Sequence, residues 1–299
     1  MSSAAGAAAV LAAVVLWGVQ LPVATLAFAR VDPYHVTGIR YWIAAVVLVP
    51  LLIYREGTGA LRYRNRAWGV SALGIIGTCI SPMLTYVGLS YSQPEHAVVI
   101  SALQPLMVAL AERVFRRRRL SLFTLSCIIL ALVGVMMVVT DGKTVHLLSV
   151  RQLAGDALIF GGAIAWVAFA ITSENFSDWS TLSFTTLTII PGAISTLLVV
   201  ALAVAGGVVP PLASSDLLAA WPELLYLSVG SALIAMLCWN AGNRRIGALN
   251  AMLLINLQPV VTFAVRYLQG YRFTYLEIIG AVIVVGALLA NTLHLRTAR

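Results

Sequence analysis

Long apolar stretches with few charged residues constrain this chain more than any other feature of its sequence. Ten such stretches, each about as long as the roughly 20 residues that cross a bilayer, are separated by short polar or turn-rich segments. We interpret each stretch as a transmembrane span. The spans are predicted near residues 4–28, 36–54, 67–91, 95–114, 120–140, 153–172, 181–206, 217–240, 247–267 and 273–293.

Helices are the secondary structure that suits these stretches. Lipid-exposed backbone must satisfy its own hydrogen bonds, and the stretches are too long and too uniformly apolar for barrel strands. Only 10% of the 299 residues are charged, against about 25% in soluble domains. The sequence therefore predicts an all-α integral membrane protein with ten transmembrane helices. A soluble enzyme is excluded, and no length remains for a separate catalytic domain.

The basic residues predict the orientation of the chain. With the amino terminus inside, thirteen of the nineteen basic residues, including the run Arg116–Arg119, lie on the cytoplasmic side. We therefore expect a multi-pass protein of a bacterial inner membrane with both termini in the cytoplasm. These flanking arginines account for the net charge of +8, so no nucleic-acid partner is expected. The expected partners are the lipid bilayer and a small-molecule substrate, and the expected state is a monomer.

The two halves of the sequence resemble each other. Leu103-Gln104-Pro105 matches Leu257-Gln258-Pro259 at a shift of 154 residues, and Trp17 matches Trp166 at a shift of 149. The same two shifts also relate two pairs of glycines, Gly88 with Gly242 and Gly6 with Gly155. An internal repeat is therefore predicted, with a tryptophan in the first helix and Leu-Gln-Pro in the fourth helix of each half.

We place the first repeat at residues 1–145 and the second at residues 150–299. Since each repeat holds five helices, an odd number, the second must enter the membrane in the opposite orientation. Exchange of the conformations of two inverted halves moves a site between them from one side of the membrane to the other. The pattern therefore favours a transporter. The alternative is an ancient duplication in a membrane scaffold or enzyme.

Ten spans in two inverted halves, Trp17-Gly18 and the duplicated Leu-Gln-Pro together make the chain resemble the drug/metabolite transporter superfamily, in its EamA-like, ten-helix branch. Within it, the chain looks most like the bacterial aromatic amino-acid exporters, through Leu16-Trp17-Gly18, Ser81-Pro82 and Glu95-His96-Ala97. The resemblance covers essentially the whole length. It implies efflux across the inner membrane, driven by a substrate or proton gradient and without an ATPase.

No acidic or basic residue is predicted deep inside the hydrocarbon region, because Glu112, Arg113, Glu174 and Glu277 fall near span ends. Intramembrane charges are costly and are retained where function needs them. We therefore expect a charge-free cavity suited to an uncharged or zwitterionic solute. Relatives that export quaternary cations use a glutamate in the first helix, where this chain has Gln20, so the resemblance argues against cation efflux.

Amides and hydroxyls could orient such a solute without net charge, and aromatic rings could stack against it. The polar candidates are Gln20, Ser101, Gln104, Asn256 and Gln258. The aromatic candidates are Trp17, Tyr86, Trp166, Phe169 and Trp239. Interhelical hydrogen bonding and core packing are the competing interpretations of the two groups, and the sequence leaves both open.

Prolines within the predicted spans could act as hinges for the motion of the halves. The hinge candidates are Pro22, Pro82, Pro105, Pro191 and Pro259. His96 is a titratable group near the expected pathway and fits either interfacial hydrogen bonding or proton coupling. The sequence has no phosphate-binding glycine loop, no His-Glu-x-x-His and no cysteine cluster of metal spacing, so no cofactor, metal or enzyme activity is expected.

The sequence thus predicts a secondary transporter that exports aromatic amino acids or similar small neutral or zwitterionic metabolites by alternating access. Three alternatives stay open at this point. The first is a broad-specificity drug or metabolite exporter, the second a passive facilitator or channel for small neutral solutes, and the third a membrane enzyme.

Overall fold

The computed structural model describes residues 3–115, 122–140, 149–176, 178–246, 251, 254–255 and 257–297. Within these segments the chain is helical and contains no strand. The helices, numbered along the chain, are α1 Ser3–Ala27, α2 Pro33–Glu56, α3 Ala67–Leu89, α4 Pro94–Ser101, α5 Gln104–Phe115, α6 Leu122–Thr140, α7 Val150–Ser173, α8 Thr181–Ala205, α9 Ser214–Ala219, α10 Trp221–Ile246, α11 Gln258–Leu268 and α12 Tyr275–Thr297.

Seven helices in the described part of the chain are long and apolar enough to cross a membrane. They are Ala4–Ala27, Pro33–Glu56, Ala67–Leu89, Leu122–Thr140, Val150–Phe176, Thr181–Ala205 and Trp221–Ile246. A shorter apolar stretch, Tyr275–Ala287, belongs to α12. Large apolar side chains on the outside of these helices, such as Leu202 and Val282, are exposed, as expected of surfaces that face lipid.

The fourth predicted span is two short helices rather than one long helix. α4 ends at Ser101 and α5 begins at Gln104. In the turn between them, the backbone N–H of Leu103 donates to the carbonyl of Ile100, three residues earlier in the chain (3.1 Å). Pro105 explains this break, because a proline has no N–H to continue the helix. The second Leu-Gln-Pro likewise stands at the start of α11, with Pro259 in its first turn.

Local sequence determines where helices begin. Asp32 caps α2 by accepting hydrogen bonds from the backbone N–H groups of Tyr34 (3.0 Å) and His35 (3.1 Å), and Pro33 opens the helix. Ser180 caps α8 in the same way through Ser183 N (2.9 Å). Aspartate and serine at these two positions are typical helix-start signals.

The helices alternate in direction, so the bundle has two ends. At the first, the side chain of Ser180 at the start of α8 bonds Glu56 at the end of α2 (2.6 Å), and Arg244 near the end of α10 bonds the Trp179 carbonyl. We call this the Trp179 end. At the opposite end, called the Glu95 end, Arg266 near the end of α11 pairs with Glu95 at the start of α4.

The main helix pairs each join one helix from residues 1–145 to one from residues 150–299. α1 packs on α10, α3 on α7, α2 on α8 and α6 on α12. Three of these contacts bring two glycines together, so closely that a Cβ on either member would lie within 3 Å of its neighbours. The glycine pairs are Gly6 with Gly242, Gly88 with Gly155 and Gly134 with Gly280.

Two helices contain a wider π-helical segment, Ile75–Ile80 in α3 and Tyr226–Ile234 in α10. Such segments are uncommon and are often found at functional sites. Both contribute to the internal cavity described below, through Gly77 of α3 and through Ser231 and Ala232 of α10.

Candidate substrate cavity

An internal cavity of about 90 Å³ lies among α1, α2, α3, α4, α5, α7, α10 and α11. A cavity needs about 10 to 15 Å³ of such space to hold a single water molecule, so this one exceeds that minimum several-fold. Helices from both halves of the chain surround it. Seven of the ten predicted substrate-binding residues line it, namely Trp17, Gln20, Tyr86, Ser101, Gln104, Trp166 and Gln258.

The other three predicted residues are placed differently. Phe169 and Trp239 are fully buried behind the cavity wall and do not line it. They contact the lining tryptophans instead, with 5.2 Å between the ring centres of Phe169 and Trp166 and 5.5 Å between those of Trp239 and Trp17. Asn256 lies outside the described residues, although its neighbour Ile255 lines the cavity.

Arg40 also lines the cavity, contrary to the prediction of a charge-free site. It is the eighth residue of α2, about 10 Å along the helix axis from Pro33. Its side chain turns into the bundle, where only 2% of the residue is exposed. From the sequence, Arg40 is assigned to the outer side of the membrane with five other basic residues, although it is the fifth residue of the predicted span 36–54.

Two neutral side chains hold one end of the guanidinium. Its Nη2 donates to Gln20 Oε1 (3.0 Å) and to Ser231 Oγ (2.8 Å), and the Ser231 hydroxyl also donates to Gln20 Oε1. The guanidinium carbon lies 4.9 Å from the centre of the Tyr41 ring and 4.8 Å from that of Tyr86. The Arg40 charge therefore interacts with an amide, a hydroxyl and two aromatic rings. Placing an arginine in the middle of a membrane helix costs about 2.5 to 3.5 kcal/mol on insertion scales.

Aromatic rings separate the cavity from the Trp179 end. Trp17 and Trp166 meet edge to face, with 5.3 Å between ring centres and 84° between planes. Behind them the packed rings of Phe169, Phe184 and Phe176 continue to Trp179. The ring indole N–H of Trp17 donates to the Ser231 carbonyl (3.2 Å), which fixes its orientation. The two tryptophans therefore present a rigid apolar wall to the cavity.

The predicted amides differ in their partners. Gln20 is engaged by Arg40 and Ser231, and Gln258 donates its Nε2 to the Trp17 carbonyl (3.3 Å). Gln104 lines the cavity as well, and its side chain has no hydrogen-bond partner among the described residues. Gln258 therefore makes an interhelical hydrogen bond while it also lines the cavity, whereas the amide of Gln104 remains available to a solute.

The predicted hinge prolines occupy different settings. Pro82 lines the cavity and follows the π-helical segment of α3, and Pro105 follows the break between α4 and α5. Pro22 and Pro191 lie inside the continuous helices α1 and α8. Pro259 stands in the first turn of α11. The proline positions next to the cavity thus coincide with departures from regular helix.

A buried polar cluster at the Glu95 end was not predicted. Glu95 is fully buried, and one of its carboxylate oxygens accepts a hydrogen bond from Arg266 Nε (2.5 Å). His96 Nδ1 lies 3.2 Å from Asp156 Oδ2, and Ser92 donates to the same carboxylate. Asp156 falls inside the predicted span 153–172, so its position in the sequence was the available signal.

Tyr271, in the connection between α11 and α12, belongs to the same end. Its hydroxyl donates to Glu277 Oε1 (2.8 Å). Burial, the hydrogen bond to Glu277 and the negative charge of that carboxylate raise the pKa of the Tyr271 phenol above its ordinary value of 10.0. The phenol therefore stays protonated and ties this connection to the first turn of α12.

Contacts between the halves close the Trp179 end as well. Arg66 Nη1 lies 3.0 Å from Asp178 Oδ1, and both side chains are about half exposed. The Ser180 hydroxyl donates to Glu56 Oε1 (2.6 Å). Both ends of the bundle thus carry polar contacts that join residues before 145 to residues after 150, and the cavity lies between these two layers.

Comparison with known proteins identifies the family. The sequence profile of the EamA-like transporter family matches residues 4–140 and again residues 153–293. An uncharacterized transporter of Bacillus subtilis, YrdR, is 29% identical over 295 residues, which cover 97% of this chain and 92% of the relative. A second one from the same organism, YyaM, is 31% identical over 255 residues, covering 84% and 82%.

This chain also superposes on a solved structure whose description reads only "crystal structure of protein". The superposition covers the full length of both chains, with a TM-score of 0.71 and 22% sequence identity, and shows that the two share a fold. The relatives are transporters by name, and none of these findings points to an enzyme. With its apolar helices and its two profile matches, the chain belongs to the EamA-like transporter family of the drug/metabolite transporter superfamily and is a multi-pass membrane transporter of small solutes.

Proposed function

We propose that this protein is a secondary transporter that exports aromatic amino acids or similar small zwitterionic metabolites across the bacterial inner membrane. It works by alternating access between two inverted five-helix repeats, residues 1–145 and 150–299, with both termini in the cytoplasm, and it acts as a monomer. The observation that carries the proposal is the cavity itself, which is lined by residues of both halves and includes Trp17 and Trp166.

The glycine contacts support the repeat. A shift of 149 residues takes Gly6 to Gly155, and a shift of 154 takes Gly88 to Gly242. Exchanging the two halves by these shifts therefore turns the contact of Gly6 with Gly242 into the contact of Gly155 with Gly88. Two halves related by a pseudo-twofold axis would form such a pair of equivalent contacts. The two profile matches and the two π-helical segments agree with it.

Alternating access requires that one layer of contacts opens while the other stays closed. The Glu95 end offers the pair Arg266–Glu95, and the Trp179 end offers the pair Arg66–Asp178. Each pair joins the first half to the second. We propose that transport alternately breaks the contacts at these two ends, while Pro82 and Pro105 adjust the helices beside the cavity.

Counterflow in proteoliposomes tests the proposed mechanism. Vesicles loaded with unlabelled phenylalanine should take up labelled phenylalanine faster than empty vesicles, without ATP. A channel open to both sides would not show this stimulation. A requirement for ATP would refute the secondary mechanism, and a chemically altered product would favour an enzyme.

Trp166→Ala tests the aromatic preference, because Trp166 is only partly buried and faces the cavity. Loss of one ring contact, about 0.5 to 1.5 kcal/mol beyond burial, should weaken phenylalanine transport roughly two- to twelve-fold relative to leucine transport. Trp42→Ala is the matched control, since Trp42 is about half exposed on the outside of α2. Equal effects of the two variants on both solutes would remove the aromatic assignment.

A further inference from the structure

We propose that Arg40 binds the carboxylate of the transported solute, which makes a carboxylate a requirement for recognition at this site. This inference deepens the proposed function and rests on it in taking the cavity for the transport site. It narrows the substrate class from small neutral or zwitterionic molecules to molecules that carry a carboxylate group. Amines without a carboxylate are excluded by the same argument.

The free donors of Arg40 are the first observation behind this proposal. A guanidinium has five N–H donors, and the two on Nη2 are taken by Gln20 and Ser231. Nε and Nη1 are fully shielded from solvent and have no hydrogen-bond partner in the part of the chain that the structure describes. Buried donors without partners are rare in native proteins, and a ligand, ion or water that completes the site is one explanation for them. The residue is 98% buried and lines the cavity, so a solute there can engage these shielded donors once the side chains around them shift.

The charge of Arg40 is the second observation. Within the described segments no aspartate or glutamate forms an ion pair with Arg40, whereas Arg66 and Arg266 each have a carboxylate partner. The Tyr41 and Tyr86 rings and the Gln20 amide stabilise a cation but leave its net charge in place. The cavity wall therefore carries one positive charge, and one monovalent anion would balance it.

The internal repeat supplies an independent argument that Arg40 is not needed by the fold. Helix α8 is the second helix of the second half, as α2 is of the first, and the two pack against each other. The sequence of α8, Thr181–Ala205, contains no charged residue. A second helix can therefore fold and pack in this bundle without an arginine, so the cost of burying Arg40 is explained better by ligand binding than by packing.

The rest of the cavity suits an amino acid with this orientation. Trp17 and Trp166 offer an apolar wall for its side chain, and Ser101 and Gln104 have side chains without hydrogen-bond partners in the described structure. Their oxygen atoms can accept hydrogen bonds from an ammonium group. A single guanidinium can pair with one carboxylate group, which is the number that an amino acid of this kind carries.

A competition panel on the wild-type protein tests the proposal directly. Labelled phenylalanine uptake by counterflow is measured against L-phenylalanine, 3-phenylpropionate, 2-phenylethylamine and phenylalaninamide. The two carboxylates should compete at concentrations at least about ten-fold lower than the two compounds without a carboxylate, because a hydrogen bond to a charged group is involved. Competition by 2-phenylethylamine as strong as that by 3-phenylpropionate would overturn the proposal.

Three variants assign the preference to Arg40. Arg40→Gln should lower the apparent affinity for phenylalanine at least about ten-fold and abolish the preference for 3-phenylpropionate over 2-phenylethylamine. Arg40→Lys, which keeps the charge but not the planar guanidinium, should retain part of that preference. Arg30→Gln, which removes a charge from an exposed residue before α2, should behave like the wild type. An unchanged preference in folded Arg40→Gln, as judged by gel filtration, would refute the assignment. If that variant does not fold, the wild-type panel and Arg40→Lys decide.

A second readout separates failure of this inference from failure of the proposed function. The thermal unfolding temperature of the purified wild-type protein is measured with the same four compounds, without any transport step. If phenylalanine is not transported but the carboxylates still raise the unfolding temperature more than the amine and amide do, the proposed function fails and the Arg40 site stands. If the carboxylates have no advantage in either readout, the Arg40 proposal is refuted, whatever the transport result.

Discussion

The close contact of α3 with α7 makes Gly88 sensitive to the smallest possible side chain. A Cβ at Gly88 would lie 2.5 Å from the Gly155 carbonyl oxygen and 2.9 Å from Ile159 Cγ1. Ordinary contacts between heavy atoms begin near 3.5 Å, so the helices would have to separate by about 1 Å. Overpacking of this kind typically costs 1 to 3 kcal/mol. Gly88→Ala should therefore destabilise the protein despite the higher helix propensity of alanine.

The chain contains a matched control for this substitution. Gly286 lies within α12, is exposed, and a Cβ there would meet nothing within 4 Å. Gly286→Ala changes helix propensity in the same way, by up to about 1 kcal/mol, without overpacking. The difference between the two variants therefore isolates the packing cost, about 1 to 3 kcal/mol. At about 2 to 4 °C per kcal/mol, the unfolding temperatures should differ by roughly 2 to 12 °C.

Thermal unfolding of the purified protein in detergent, followed by tryptophan fluorescence, measures this difference. Gly242→Ala provides a second arm, because its Cβ would lie 2.7 Å from the Gly6 carbonyl oxygen in the related contact of α1 with α10. Both crowded variants should unfold at lower temperatures than Gly286→Ala. If all three variants unfold at the same temperature, the helices are not in the close contact on which this reasoning depends.

Two other predictions concern the Glu95 end. Arg266→Ala leaves the fully buried Glu95 carboxylate without its cation and should lower the free energy of unfolding by about 3 to 5 kcal/mol. Arg66→Ala breaks a pair with Asp178 that is half exposed, so it should lower the free energy of unfolding by less than about 1 kcal/mol. A lower unfolding temperature for Arg66→Ala than for Arg266→Ala would contradict this geometry. Tyr271 has a raised pKa in the folded state, so its contribution to stability is present below the ordinary value of 10.0 and declines as pH rises from there through the raised pKa. Wild type should therefore lose more stability than Tyr271→Phe between about pH 9 and 11, and parallel pH profiles of the two unfolding temperatures would show that the pKa of the phenol is not raised in the folded protein.

Much of the candidate site could be predicted from residue type and repeat position. Trp17 and Trp166 stood out because they recur in the first helix of each half, and Gln104 stood out because it precedes a proline in an apolar helix. Both kinds of signal are local or periodic, and the structure places all three residues at the cavity. What could not be predicted was the rotation of each helix about its axis. Phe169 is three residues from Trp166 on α7, yet its ring packs into the core.

The sequence by itself determined the class of this protein, because apolar length and scarcity of charge allow few structures other than membrane helices. Its Leu-Gln-Pro motifs also marked the points where α5 and α11 begin. Only the tertiary structure decided the role of Arg40. An arginine ten ångströms along a helix can extend to the lipid head groups or turn inward, and the sequence near it is compatible with both. The choice depends on Gln20, 20 residues away, and Ser231, 191 residues away, which meet the guanidinium only after the helices have packed.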